Sequence, residues 1–122
     1  MLILCSHATP AKHLNRLARH HVEYIVAGDD HVDLTAALPT LADRYAVTEM
    51  CTDAGGTLNA HLLRAGLVDE ISLIVAPHLV GAGHPAVRLT DGLPGTVLPA
   101  LHLVTARPLR DDHVWLRYRP RG

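Results

Sequence analysis

Apolar and polar positions follow one another in blocks that predict alternating strands and helices. Leu2-Ile3-Leu4-Cys5 is an unbroken apolar run, the pattern of a short buried strand. Thr9-Pro10 then predicts a helix N-cap followed by proline at the first helical position. Leu14, Leu17, Ala18 and His21 recur at helical spacing, with Lys12, His13, Arg16, Arg19 and His20 on the opposite face. Val22 to Val26 predicts a second strand, stopped by Gly28-Asp29-Asp30. Asp33 is placed to cap a second helix whose apolar positions are Leu34, Ala37, Leu38, Leu41, Ala42 and Tyr45. Pro39 falls inside that pattern and predicts a kink or a restart. Val47 to Thr52 reads as a third strand, poor in aliphatics and carrying Glu49.

Asp53-Ala54-Gly55-Gly56 forms a turn before a helix over Thr57 to Ala65, with Leu58, Leu62 and Ala65 inward and Gly66 closing it. Val68 to Ala76 is the strongest strand pattern and ends at Pro77. Residues 77–99 hold four prolines and four glycines and predict a long loop. Leu101 to Ala106 and His113 to Tyr118 predict a hairpin turning at Arg110-Asp111-Asp112. The order β-α-β-α-β-α-β followed by a hairpin predicts an α/β domain over residues 1–122, its sheet mostly parallel with an antiparallel edge.

At 122 residues, one core is expected, and 48% hydrophobic against 19% charged residues is a globular composition. With no Phe, the core must be built from Leu, Val, Ile and Ala. Lys and Arg number 11 against 12 Asp and Glu, a balance that argues against a general nucleic-acid or polybasic membrane binder. No apolar run approaches the ~18 residues of a membrane helix, and Met1 to His7 is too short for a secretory signal. Cys5 and Cys51 without CxxC spacing suit a reduced, cytoplasmic setting and read as small buried hydrophobes. The 10 histidines show neither HxxxH on a helix nor HxH, so no metal site is expected.

The strand-to-helix turn at Gly55-Gly56 lets a ligand approach the backbone, and the following helix start offers N–H groups to a phosphate. Spacing alone is equally compatible with a plain tight turn. Ser6-His7-Ala8-Thr9 lies at the carboxyl end of the first strand, the edge where open α/β sheets bind ligands. Ser6 is placed to contact a phosphate there, whereas Thr9 reads as a cap. Asp53 is the one carboxylate at the mouth of the glycine turn, while Asp69 and Glu70 read as structural.

The stretch from Asp53-Ala-Gly-Gly-Thr-Leu through Arg64-Ala-Gly-Leu-Val-Asp-Glu70 to Val75-Ala-Pro77 and Gly81 resembles one family: the C-terminal reductase domain of the bifunctional riboflavin-biosynthesis deaminase/reductase. Turn, helix, strand and loop match in order, and a weaker likeness runs from Met1 to the final hairpin. The resemblance implies a three-layer α-β-α, dihydrofolate reductase-like fold. It implies an NADPH-dependent oxidoreductase that reduces the ribosyl carbon of 5-amino-6-(5-phosphoribosylamino)uracil to the ribityl product. By resemblance, Gly55, Gly56, Thr57 and Leu58 hold the cofactor pyrophosphate. Ser6 with His7 lies near the adenosine 2′-phosphate, and Asp53 stands near the nicotinamide and substrate, where the family carries Glu. The paired glycines of this fold imply a cis or strained Gly55–Gly56 bond.

The likeness covers roughly the C-terminal half of the family domain, without the N-terminal strand that carries a Ser-Leu-Asp-Gly type motif. A chain lacking those strands is expected to turn over little substrate alone. It is also expected to self-associate as a dimer through an exposed edge or the hairpin around Trp115. Two other readings stay open: reduction of a different pteridine or pyrimidine, and a non-catalytic remnant that binds a nucleotide or dimerises.

Overall fold

The structure, a computed structural model, describes residues 1–81 and 97–121. The chain forms two compact units, Met1–Thr52 and Asp53–Gly122. The architecture is mixed α/β, and among the described residues no helix is long and apolar enough to cross a membrane.

In the first unit, β1 (Leu2–Cys5) and β2 (Glu23–Val26) pair in parallel, with Leu2 opposite Glu23 and Cys5 opposite Val26. Parallel neighbours need a crossover, supplied here by α1 (Ala11–Arg19). Pro10 takes the N-cap place of α1, and no side chain caps it. The expected Thr9 cap is therefore corrected: Thr9 Oγ1 accepts the Ser6 N–H at 3.1 Å instead, holding the turn before the helix. Leu17 is buried as expected, but Ala18 and His21 are exposed. The helix ends at Arg19, so His21 falls beyond it and adopts φ +53°.

Asp33 caps α2 (Leu34–Tyr45) as predicted, its carboxylate accepting the N–H groups of Thr35 and Ala36. Those hydrogen bonds, with the Thr35 hydroxyl foremost, hold the Asp33 carboxyl below its ordinary value. The helix passes through Pro39 without restarting. Pro39 is exposed and has no N–H to give the turn before it, so it weakens the helix without adding to the core. Pro39→Ala is therefore expected to stabilise the protein by roughly 1–3 kcal/mol, read as a raised thermal midpoint; an unchanged or lowered midpoint would show the ring to be favourable there.

The predicted strand over Val47 to Thr52 does not form. Thr48 to Thr52 are exposed and carry no apolar alternation to bury, so nothing drives them onto a sheet face. Cys51 lies on this exposed stretch, whereas Cys5 is buried. The core of the unit is small and aliphatic: Cys5, Leu17, Ile25, Ala27 and Ala37.

The second unit opens with α3 (Gly56–Arg64). Its buried positions are Ala60, Leu62 and Leu63; the expected inward residues Leu58 and Ala65 are exposed. The buried stripe runs through Ala60, Leu62 and Leu63, so of the expected inward residues only Leu62 is covered. Gly66 closes the helix at φ +68°, donating to the Leu63 carbonyl, while the Leu67 N–H reaches Leu62.

The strands β3 (Ile71–Val75), β4 (Leu101–Pro108) and β5 (Val114–Pro120) form a three-stranded sheet in the order β3-β5-β4, antiparallel throughout. The mostly parallel sheet expected from element order is thus corrected. The only parallel ladder among the described residues is β1-β2. The physical reason is that the third predicted strand is missing and β3 takes the hairpin strand β5 as its partner. Most of the predicted 77–99 loop lies outside the described residues.

Pairing gives this sheet two unlike faces. Ile71, Leu73 and Val75 stand beside Tyr118, Leu116 and Val114, with Leu103, Ala106 and Pro108 completing an apolar face. Ser72 and Ile74 stand beside Arg117 and Trp115, with Thr105 and Arg107 across from them on the polar face.

Candidate cofactor site

The glycine turn sits at the head of α3. Gly55 is the N-cap in an ordinary extended conformation, φ −67° and ψ 167°, with no side chain capping the helix. Four N–H groups at a helix start lack intrahelical partners, and here no capping side chain competes for them. A Cβ added at Gly55 would meet no atom within 4 Å, so the approach to the backbone is open. Thr57, Leu58 and Asp53 are exposed around it, and Gly56 is partly so. No cis peptide bond occurs among the described residues, which corrects the expected cis Gly55–Gly56 link. The chain enters α3 through Gly55 with ordinary dihedrals.

One residue at this turn escaped the sequence reading. Asn59 Nδ2 donates to the Ala54 carbonyl at 3.0 Å, and the Asn59 N–H reaches the Gly55 carbonyl at 3.3 Å. Asn59 thereby ties both sides of the turn to the first helical turn. The available signal was an asparagine in the opening turn of a helix, where its side chain can bond back to the local backbone.

Ser6 and His7 stand elsewhere in the chain, in the first unit, where the loops after β1 and β2 are laced together. The His7 N–H donates to the Gly28 carbonyl and the Ala8 N–H to the Asp29 carbonyl, both at 2.8 Å. Ser6 is 7% exposed, and its hydroxyl donates to the Asp30 carbonyl at 3.1 Å. Ser6 is therefore a buried post of this crossing, and His7 presents the exposed side chain. Gly28 allows the crossing by adopting φ +87°. The structure thus groups Asp53 to Leu58 at one helix head, and Ser6, His7 and Thr9 at the carboxyl ends of β1 and β2.

Among the described residues of the second unit, the ion pairs gather on Glu70, which the sequence suggested to be structural. Arg117 grips Glu70 in a bidentate pair at 2.7 and 2.6 Å, and Arg119 approaches the same carboxylate at 3.8 Å. Arg117 holds the Glu70 carboxyl below its ordinary value, against a smaller opposing effect of burial. A depressed carboxyl contributes stability above the unfolded value, and that contribution is lost as pH falls through the folded value. Glu70→Gln is therefore expected to flatten the loss of stability on acidification below about pH 4. Urea midpoints at neutral and acid pH check this; an acid limb as steep as the parent's would remove Glu70 from the account.

Comparison with known proteins adds matches of three kinds: a family, curated relatives and solved structures. The pattern of the RibD C-terminal domain matches residues 1–114. A 2,5-diamino-6-ribosylamino-4(3H)-pyrimidinone 5′-phosphate reductase of Methanothermobacter thermautotrophicus is 37% identical over 87 residues, covering 71% of this chain and 39% of the relative. The reductase of the same name from Aquifex aeolicus is 32% identical over 80 residues, covering 66% of this chain and 35% of its own length. Among solved structures, a pyrimidine reductase-like protein of Corynebacterium diphtheriae superposes with a TM-score of 0.80 at 19% identity, covering 99% of this chain and 50% of that one. Acinetobacter baumannii RibD superposes at 0.68 with 27% identity, covering 88% of this chain and 29% of that one. The chain thus spans roughly two fifths of the length of the curated relatives it matches.

Proposed function

Since this chain belongs to the RibD C-terminal domain family, we propose that it binds NADPH and serves the reduction of a ribosylaminopyrimidine 5′-phosphate in riboflavin biosynthesis. The observation that carries this reading is the head of α3, which starts on paired glycines without a side-chain cap and with open space at Gly55. Those features fit a pyrophosphate, which such a helix start attracts through its N–H groups and dipole. NADPH would supply the hydride for C1 of the ring-opened ribosylamino group, and a proton taken from water would complete the ribitylamino product. In this reading the backbone of Gly55 to Leu58 holds the pyrophosphate, and Asn59 keeps the turn in shape. Asp53 lies toward the nicotinamide and substrate, one methylene shorter than the family's glutamate. The family resemblance assigns Ser6 with His7 to the adenosine 2′-phosphate; of the two, His7 has the exposed side chain. The wider arrangement is taken as dihydrofolate reductase-like, with helices on both sides of the strands.

The substrate is proposed as a class. The uracil implied by the sequence resemblance and the pyrimidinone in the relatives' names share the phosphorylated ribosylamino group and differ in the substituent on the pyrimidine ring. Self-association belongs to the same proposal: Val75, Leu101, Leu103 and Val104 are partly exposed, a surface that a second copy would cover. The test is a titration with NADPH against NADH, with turnover of both pyrimidines assayed separately. Tighter binding of NADPH is expected. Equal affinity would withdraw Ser6 and His7 from the site, and no binding of either nucleotide would sink the proposal.

A further inference from the structure

The turn end of the β4–β5 hairpin carries an open recess of about 740 Å³, lined by Ile74, Arg107, Pro108, Leu109, Arg110 and His113. It includes none of the residues assigned above to cofactor or substrate. Its volume is in the range of small-ligand sites, ~300–1,000 Å³. Strand register builds its polar side: Arg107 lies directly across from Trp115, which lies across from Ile74. The Arg107 guanidinium sits over the Trp115 ring at 5.0 Å, which holds its long side chain in place.

The charges here are unevenly matched. Arg117 also reaches the Trp115 ring, at 5.5 Å, but Glu70 already neutralises it. Among the described residues no carboxylate forms an ion pair with Arg107 or Arg110. Arg110 opens the turn, and its carbonyl accepts the His113 N–H across Asp111 and Asp112, both at φ +57°. His113 Nδ1 lies 2.8 Å from the Asp111 carbonyl oxygen. A carbonyl only accepts, so Nδ1 carries the proton and Nε2 is the ring's remaining polar atom. Two arginines without an ion-paired carboxylate among the described residues, and an imidazole, thus line the recess together with the apolar Ile74, Pro108 and Leu109.

We infer that this recess is a second ligand site, for a phosphomonoester attached to a small apolar or planar body. Guanidinium forks match phosphate oxygens in pairs, and they carry the anion contact here; Nε2 of His113, an acceptor in this tautomer, is left for a hydroxyl or N–H on the ligand. The apolar residues take the body of the ligand. The turn aspartates carry the opposite sign, so binding rests on both arginines acting together.

The test uses phenyl phosphate as probe and the emission of Trp115, the sole tryptophan of the chain, as reporter. Calorimetry provides a readout independent of the ring. A saturable response is expected, weakened by roughly tenfold in Arg107→Gln and in Arg110→Gln. Arg110 is exposed in the turn, so its variant keeps the test valid should Arg107→Gln disturb the hairpin. Gly56→Val should leave phenyl phosphate affinity unchanged, which separates this site from the head of α3. No saturable response by either method would overturn the inference, as would parental affinity in both arginine variants. Inorganic phosphate binding as tightly as phenyl phosphate would also overturn it, since the apolar wall would then contribute nothing.

Discussion

Gly56→Val is expected to weaken NADPH and NADH binding together by at least about 100-fold, with the helical signal in circular dichroism unchanged. Gly56 is the first residue of α3, directly after the N-cap. A pyrophosphate held by the helix start must approach that backbone to hydrogen-bond distance, and a branched side chain occupies the same space. Losing two charge-assisted hydrogen bonds, each worth ~1.5–3 kcal/mol, suffices for the stated loss. Folding should be spared, because valine is a better helix former than glycine. Nucleotide titration followed by calorimetry reads the effect. Parental affinity in this variant would move the cofactor away from α3 altogether.

Gly28→Ala should damage stability more than any other single methyl addition considered for this chain. At φ +87° the new Cβ would stand 2.2 Å from the His31 carbonyl oxygen and 2.7 Å from the Asp33 nitrogen, both backbone atoms that cannot swing aside. The expected loss is roughly 3 kcal/mol or more, from the unfavourable dihedral together with the forced backbone shift. The same shift would pull on the Gly28 carbonyl that accepts the His7 N–H, and on Asp33, which caps α2. A fall in the urea midpoint is the measurement, and a midpoint within error of the parent's would mean the loop relaxes freely.

The features legible in the sequence were those decided within a few residues. Asp33 caps its helix because its carboxylate needs only the next two or three N–H groups. Gly66 ends α3 because a left-handed position needs only the absence of a Cβ. The hairpin follows from two strand patterns either side of a short polar turn. The strand pairing was not legible, because a run such as Ile71 to Val75 has no way of naming its partner. Its pattern suits β5 as well as a parallel neighbour. Val47 to Thr52 looked like a strand only by position in an alternating order, and its polar residues had nothing to bury. On α3, Leu58 and Leu62 share one stripe and Leu63 opens another, so periodicity could not choose between them. The candidate site was half legible. Paired glycines before a helix announce a phosphate-sized opening, but the dihedrals of their peptide bond and the back-bond from Asn59 depend on atoms that spacing does not place.

The strand order β3-β5-β4 also dictates how the second unit assembles in time. Pro108 meets Val114 across a six-residue separation, whereas Ile71 meets Tyr118 across 47. A hairpin of the first kind closes in ~1–10 μs, long before a distant strand finds its place. The β4–β5 hairpin should therefore form first and present β5 as a template on which β3 docks last. Loop closure grows only logarithmically, so doubling the chain between β3 and β4 should cost about 0.6 kcal/mol. Refolding after such an insertion should slow at the docking step while the hairpin still forms at its original rate. Length added between Pro108 and Val114 would instead delay the template itself.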